Sequence, residues 1–225
     1  MIHNALMVLS ALCTSVIAAL CALYLVKDHV PSNALTRIRT LVLVTLSAFF
    51  FIWYFNTISY SPTLASFLLL VWSFALAVTA HTDAHTLLIS PWCTLYLIPL
   101  GLLGAWQNWL PVTFFESVMG IIFGAGVLLI TATIGRWYYK TEALGQGDIE
   151  LLALCGAFLG PISCFRILLY GSIIGSLWGT FCIIFYKGHV HTLKLPFGTF
   201  LALAGLVELW LLYIQPWILE KGINY

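Results

Sequence analysis

The stretch VTFFESVMGIIFGAGVLLITATIG, residues 112–135, decides the fold. Its only ionisable residue is Glu116, near its start, and no charge follows as far as Gly135. A helix of this length rises about 36 Å at 1.5 Å per residue, which exceeds the ~30 Å of bilayer hydrocarbon. The apolar residues do not alternate with polar ones, as the strands of a membrane β-barrel would require. A backbone in lipid must satisfy its own hydrogen bonds, and a helix does that within one segment.

Outward from this run the pattern repeats. Spans are predicted at about 5–26, 40–58, 63–81, 86–106, 149–160 (or somewhat longer), 165–186 and 197–217, in addition to 112–135. Pro31 with Ser32-Asn33, Ser61-Pro62, Asn108 with Pro111, Gly160-Pro161 and Gly188 fall between the runs, as breakers should. Hydrophobic residues make up 62% of the chain and charged ones 8%, and mean hydropathy is +1.03. That leaves too little polar surface for a water-soluble domain. The expected fold is all-α, a polytopic membrane protein of about eight transmembrane helices. No repeat, low-complexity tract or linker divides it, so residues 1–225 are expected to form a single domain.

Lys and Arg set the expected orientation. Taken alternately, one set of loops holds Lys27, Arg37, Arg39, Arg136, Lys140, Lys187 and Lys194, leaving Arg166 and Lys221 to the other side. The richer set is expected to face the cytoplasm, with both termini outside. The segments 82–85, 136–148 and 187–196 then share the cytoplasmic face.

Composition also excludes function classes. A net charge of +1 gives no basis for nucleic-acid binding. Cys13, Cys21, Cys93, Cys155, Cys164 and Cys182 are scattered through apolar runs without a Cys-x-x-Cys pair, so they read as buried small hydrophobes. The N-terminus lacks a basic n-region, and a cleaved signal peptide is not expected.

Among the acids, Asp28, Glu142 and Glu220 fall in loops or the tail. Asp83 and Asp148 differ: each lies where a cytoplasmic loop meets an apolar run. A carboxylate is costly to dehydrate there, so it is read first as functional. The alternative for Asp148 is a helix N-cap. Gly145 and Gly147 flank Gln146 just before it and allow a tight turn and close approach of another chain. Two acids that converge cannot both ionise easily. An ionised Asp can deprotonate a water while a protonated one polarises a carbonyl, which is aspartic-peptidase chemistry. The pair would titrate as a unit, so no separate roles are assigned.

Gly145-Gln146-Gly147-Asp148-Ile149-Glu150-Leu151-Leu152, followed by Gly156-Ala157-Phe158-Leu159-Gly160, resembles the signature of type IV prepilin peptidases. Leu195-Pro196-Phe197-Gly198-Thr199-Phe200-Leu201-Ala202 is similar to that family's Pro-Phe-Gly segment. The resemblance covers about residues 79–205. It implies a polytopic aspartic peptidase of the bacterial inner membrane with Asp83 and Asp148 as the catalytic pair. Its substrates would be prepilins or pseudopilins, each with a basic leader and a hydrophobic N-terminal helix. Cleavage would occur on the cytoplasmic side, after a glycine ending the leader.

The departures are specific. Ile89-Ser90-Pro91 stands where the family shows Ile/Leu-Pro-Asp, Glu150 where Lys is frequent, and Thr199 where Pro is common. Many members carry a cytoplasmic insert with two Cys-x-x-Cys pairs after the first helix. Here that loop is about residues 27–39 and has no cysteine. Bifunctional members methylate the new N-terminus with S-adenosylmethionine; without the insert, peptidase activity is expected without a cofactor.

Other features read as scaffold. Gly171, Gly175 and Gly179, and Gly120 with Gly124, form small-xxx-small stripes for close helix packing. Glu116 and Glu208 read as protonated, hydrogen-bonded links between helices. His81 and His85 flank Asp83, and His189 and His191 share their face. No ligand set of fixed spacing emerges, so no metal is expected, and His81, His85 and Glu150 are assigned to tuning the dyad. Trp106, Trp109, Trp137, Tyr138, Tyr139 and Trp217 fit an aromatic belt beside membrane lipid. Two rival readings remain: a small transporter or channel using Glu116 and Glu208, and a non-catalytic factor in pilus or secretion assembly.

Overall fold

The computed structural model describes residues 64–140, 144–185 and 195–222, with isolated positions between 13 and 43. The predicted spans at 5–26 and 40–58 lie outside the described residues, those isolated positions apart. So do the 27–39 loop, His189 and His191, and the charge count resting on Lys27, Arg37, Arg39, Lys187 and Lys194.

Every regular element among the described residues is helical: α1 Leu64–Thr86, two 3-10 turns at Pro91–Cys93 and Leu95–Leu97, α2 Ile98–Trp106, α3 Phe114–Tyr139, α4 Gln146–Phe185 and α5 Phe197–Gly222. Three segments, Phe67–Thr86, Phe114–Tyr138 and Gln146–Ile184, are long and apolar enough to cross a membrane. The outward side chains of α3, among them Phe115, Ile122, Leu129, Ile130 and Ile134, are apolar and exposed. That is the surface a helix offers to lipid rather than to water.

The run that decides the fold begins with a capping box. Thr113 Oγ1 accepts the Glu116 N–H, and Glu116 Oε2 accepts the Thr113 N–H at 2.8 Å. Glu116 is exposed and closes the end of α3, so it is not the interhelical link expected from the sequence.

The long α4 is broken at Gly160, whose φ of 79° lies in the region that favours glycine, with Pro161 following. The break is a sharp reversal. Cys164 Sγ donates to the Leu152 carbonyl at 3.3 Å, although twelve residues of straight helix would separate them by about 18 Å. The two arms, 146–159 and 161–185, match the two predicted spans 149–160 and 165–186. The first arm packs on α3 so closely that a Cβ on Gly120 or Gly156 would strike the other's backbone, and Ser117 Oγ donates to the Ala157 carbonyl at 2.7 Å. The second arm lays Gly171 on Leu201, Gly175 on Phe200 and Gly179 on Leu195, at the start of α5. These stripes are scaffold, as read from their spacing. α5 in turn packs on α1, with Gly205 against Leu76 and Trp72, and Trp72 stacks on Phe158 with ring centroids 5.9 Å apart.

The segment 86–106 is not the single helix predicted there. α1 continues to Thr86, which puts Asp83 on its last turn rather than in a loop. Leu87, at φ 59°, ends it in the left-handed region, donating its N–H to the Asp83 carbonyl at 2.9 Å. Ser90 is extended (φ −79°, ψ 126°) because Pro91 disfavours helix in the residue before it. Only after the two 3-10 turns does α2 form.

Candidate active site

Three helix ends converge: the last turn of α1 and the first turns of α4 and α5. The first N–H groups of a helix need acceptors from outside it. On α5, which follows Pro196, Asp83 supplies one. The Thr199 N–H donates to Asp83 Oδ2 at 2.6 Å, and the Thr199 hydroxyl lies 2.9 Å from the same oxygen and 3.2 Å from the Ala80 carbonyl. Asp83 is 4% exposed. A carboxylate on α1 therefore fastens the start of α5.

Asp148 approaches the same point from α4. Its N–H donates to the Gly145 carbonyl at 3.3 Å, closing the turn that starts the helix. It sits inside the first turn, not before it, and is 8% exposed. Gly198 stands between the two acids. A Cβ on Gly198 would lie 2.8 Å from Asp148 Oδ1 and 3.1 Å from Asp83 Cγ. The separation of those two atoms cannot exceed the sum of the two distances, a gap that one water can bridge.

The flanking glycines have local tasks. A Cβ on Gly145 would stand 3.3 Å from Asp148 Oδ2, and one on Gly147 would lie 2.6 Å from Ile89 Cβ. Ile89 also comes within 2.5 Å of the Cβ position of Gly198, so its side chain is wedged between two glycines beside the acids. The 3-10 segment is tied down by Thr94 Oγ1, which donates to Glu150 Oε2 at 3.0 Å.

No Lys or Arg pairs with Asp83 or Asp148 among the described residues. His81 is buried, and neither ring nitrogen has a hydrogen-bond partner among the described residues; His85 is half-buried on the next turn. No group of three or more His, Cys, Asp or Glu is placed to hold a metal among the described residues. Two acids this close disfavour ionising together, and a pair of that kind can share a proton.

Sequence reasoning did not assign Gly198, Thr199 or Ile89 to the site. Pro196-Phe197-Gly198 was visible as a helix opening and Thr199 as a departure, but only tertiary packing brings them onto the acids. Ile89 carried no signal beyond its place near Pro91.

The sequence profile of the type IV leader peptidase family matches residues 68–180. A type 4 prepilin-like proteins leader peptide-processing enzyme of Escherichia coli O78:H11 is 32% identical over 111 residues, covering 49% of this chain and 39% of the relative. A prepilin leader peptidase/N-methyltransferase of Xanthomonas campestris pv. campestris is 31% identical over 142 residues, 61% of this chain and 47% of the relative. One of Aeromonas salmonicida is 33% identical over 164 residues, 70% and 53%. The chain thus spans about half the length of the curated relatives it matches. No solved structure matches it.

Proposed function

This chain belongs to the type IV leader peptidase family, and from that premise we propose that it is a membrane aspartic endopeptidase. In this reading it removes the basic leader from type IV prepilins or pseudopilins, with Asp83 and Asp148 as its dyad. The observation that carries the reading is the pair of buried carboxyls brought to either side of Gly198, with no Lys or Arg beside them among the described residues. Burying two acids side by side is costly, and that cost supports a chemical task for them.

The reaction follows from one shared proton. The ionised carboxylate takes a proton from water, and the water oxygen bonds to the scissile carbonyl carbon. The carbonyl oxygen takes the proton held by the other acid, giving a tetrahedral diol. Collapse re-forms the carbonyl, breaks the C–N bond and delivers a proton to the leaving amine. Gly145, Gly147 and Gly198 keep side chains away from the path of the substrate. His81, His85 and Glu150 tune the surroundings, Glu150 by holding the 3-10 segment through Thr94.

The setting proposed for this chemistry is the bacterial inner membrane. The chain would form one domain over 1–225 with about eight spans and both termini outside. The dyad would face the cytoplasm, where it meets a basic leader whose hydrophobic helix lies in lipid. The reaction needs no cofactor; S-adenosylmethionine would enter only with methylation, which the short, cysteine-free 27–39 loop argues against. No nucleic acid takes part. The acids on which a transporter reading rested are otherwise engaged, Glu116 in its capping box and Glu208 with Arg166.

Co-expression with a prepilin, followed by mass measurement of the pilin, tests this. Wild type is expected to give a trimmed pilin, and Asp83→Asn and Asp148→Asn an uncut one. Trimming that survives both substitutions would overturn the dyad. An added methyl group on the trimmed product would overturn the peptidase-only assignment.

A further inference from the structure

The two acids are not held alike. Asp83 Oδ2 receives the Thr199 N–H at 2.6 Å and faces the Thr199 hydroxyl at 2.9 Å. The hydroxyl has one proton and two acceptors in reach, Oδ2 and the Ala80 carbonyl at 3.2 Å. The shorter contact, to a carboxylate, is the stronger one. Oδ2 then uses both lone pairs as an acceptor and has no room for a proton. Asp148 Oδ1 and Oδ2 instead face Gly198 and Gly145, which have no side-chain donor.

Thr199 is thus placed to do something neither a proline nor an alanine could do. A proline has neither N–H nor hydroxyl, and an alanine keeps only the N–H. Thr199 itself is 6% exposed and sits one residue after the glycine between the two acids, so it touches Asp83 from the buried side.

We infer that Thr199 is a positioning residue for the reaction: its N–H and hydroxyl fix the Asp83 carboxyl with Oδ2 as acceptor, leaving Oδ1 as the oxygen that takes the proton from water. The inference rests on the peptidase reading and assigns the dyad its roles. Asp83 is the base through Oδ1, and Asp148 carries the proton that goes to the carbonyl oxygen. When the C–N bond breaks, the proton gained by Asp83 Oδ1 leaves with the amine and Asp148 is reprotonated from the diol.

The test uses the purified full chain in lipid with a synthetic prepilin-type peptide, reading kcat and KM separately. Thr199→Ser keeps both donors and is expected to stay within about twofold of wild type. Thr199→Val keeps the N–H and loses the hydroxyl; kcat is expected to fall about tenfold with KM nearly unchanged, the effect of one hydrogen bond to a charged group. Thr199→Pro loses both donors at a position in the first helical turn that tolerates proline, and kcat is expected to fall about a hundredfold. A Thr199→Val enzyme with wild-type kcat would overturn the inference. So would a Thr199→Ser enzyme as slow as Thr199→Val, or a loss confined to KM. A Thr199→Pro chain that does not fold leaves the Ser and Val pair to decide. Failure of the underlying reading looks different: wild type itself, or Asp83→Asn compared with it, would then show no dyad-dependent cleavage.

Discussion

α5 carries two buried acid sites about 13 Å apart along its axis, and the fold treats them in opposite ways. At Glu208 the side chain is 0% exposed and meets Arg166 from the second arm of α4, with Nε 3.0 Å from Oε1. The N–H is not aimed along that line, so the contact is an ion-pair distance rather than an aligned hydrogen bond. The sequence suggested a link between helices there, and the structure has one, with Arg166 and Ser163 of the second arm of α4 facing the acid. At the start of the same helix, two acids converge and no Lys or Arg answers them among the described residues. A buried charge that only holds helices together is matched by its opposite. A pair with no Lys or Arg beside it among the described residues is what the proposed reaction would use to move a proton. On the proposed reading, the contrast sets scaffold apart from chemistry at the two ends of one helix.

The largest expected effect breaks the unmatched site. Asp83→Asn or Asp148→Asn should lower cleavage of a prepilin peptide by about 10²–10⁴-fold, the scale of removing a positioned acid or base. For Asp148→Asn the unfolding temperature should hold or rise, because a buried acid with no Lys or Arg beside it among the described residues has been removed; for Asp83→Asn a fall of about 1–2 kcal/mol is expected as well, because Asp83 also caps the start of α5 through Thr199. Peptide cleavage read alongside a thermal melt distinguishes this from misfolding. A sharp fall in the stability of Asp148→Asn with cleavage retained would mean that this acid is scaffold after all. Next comes Gly198→Ala. Its Cβ would sit 2.5 Å from Ile89 Cδ1, 2.8 Å from Asp148 Oδ1 and 3.1 Å from Asp83 Cγ, so the site must spread. Displacements near 1 Å cost roughly a hundredfold in rate, and that is the loss expected in kcat.

Which of these features the sequence could reveal follows from the range of the forces involved. Helices came through because lipid demands long apolar runs, and Gly160-Pro161 was readable as a break because its cause is local. The capping box was equally local: Thr113-x-x-Glu116 is a helix-start signature, yet the length of the run drew attention to Glu116 as an acid in a membrane instead. The 86–106 segment misled because its apolar content hides Pro91, whose effect falls on Ser90. Asp83 and Asp148 were expected on one face from a count of basic loops, most of which lie outside the described residues, and the structure brings the two acids together at Gly198. That count says nothing of Thr199, whose hydrogen bond to Asp83 spans 116 residues of sequence. Local chemistry and burial leave marks in a sequence; a contact between distant helix ends leaves only residue types.

The matched site should fail in the other currency. Arg166→Gln leaves Glu208 buried without its cation. Breaking a buried pair costs about 3–5 kcal/mol, and because Arg166 is 39% exposed the expected loss is nearer 2 kcal/mol. Denaturant unfolding in detergent reads it. The kcat of the fraction that remains folded should be within about twofold of wild type, since the pair is remote from Gly198. A drop in kcat without a drop in stability would erase the distinction between the two sites.

The smallest effect probes the border between them. Thr94→Val removes the hydroxyl that donates to Glu150 Oε2 at 3.0 Å, the tie between the 3-10 segment and the start of α4. Valine matches threonine in shape, so the change removes the hydroxyl alone, with its 3.0 Å contact to Glu150 and its longer 3.4 Å contact to the Ser90 carbonyl, worth about 1 kcal/mol. The global melt should shift little. If the tie holds Ile89 in its wedge between Gly147 and Gly198, loosening it should cost a few-fold in kcat, read with the same peptide, and should do so without touching either acid. Ile89→Val, which trims the wedge and keeps the tie, should lose less. Should the order reverse, the wedge itself rather than its fastening to Glu150 would be what keeps the two carboxyls in register.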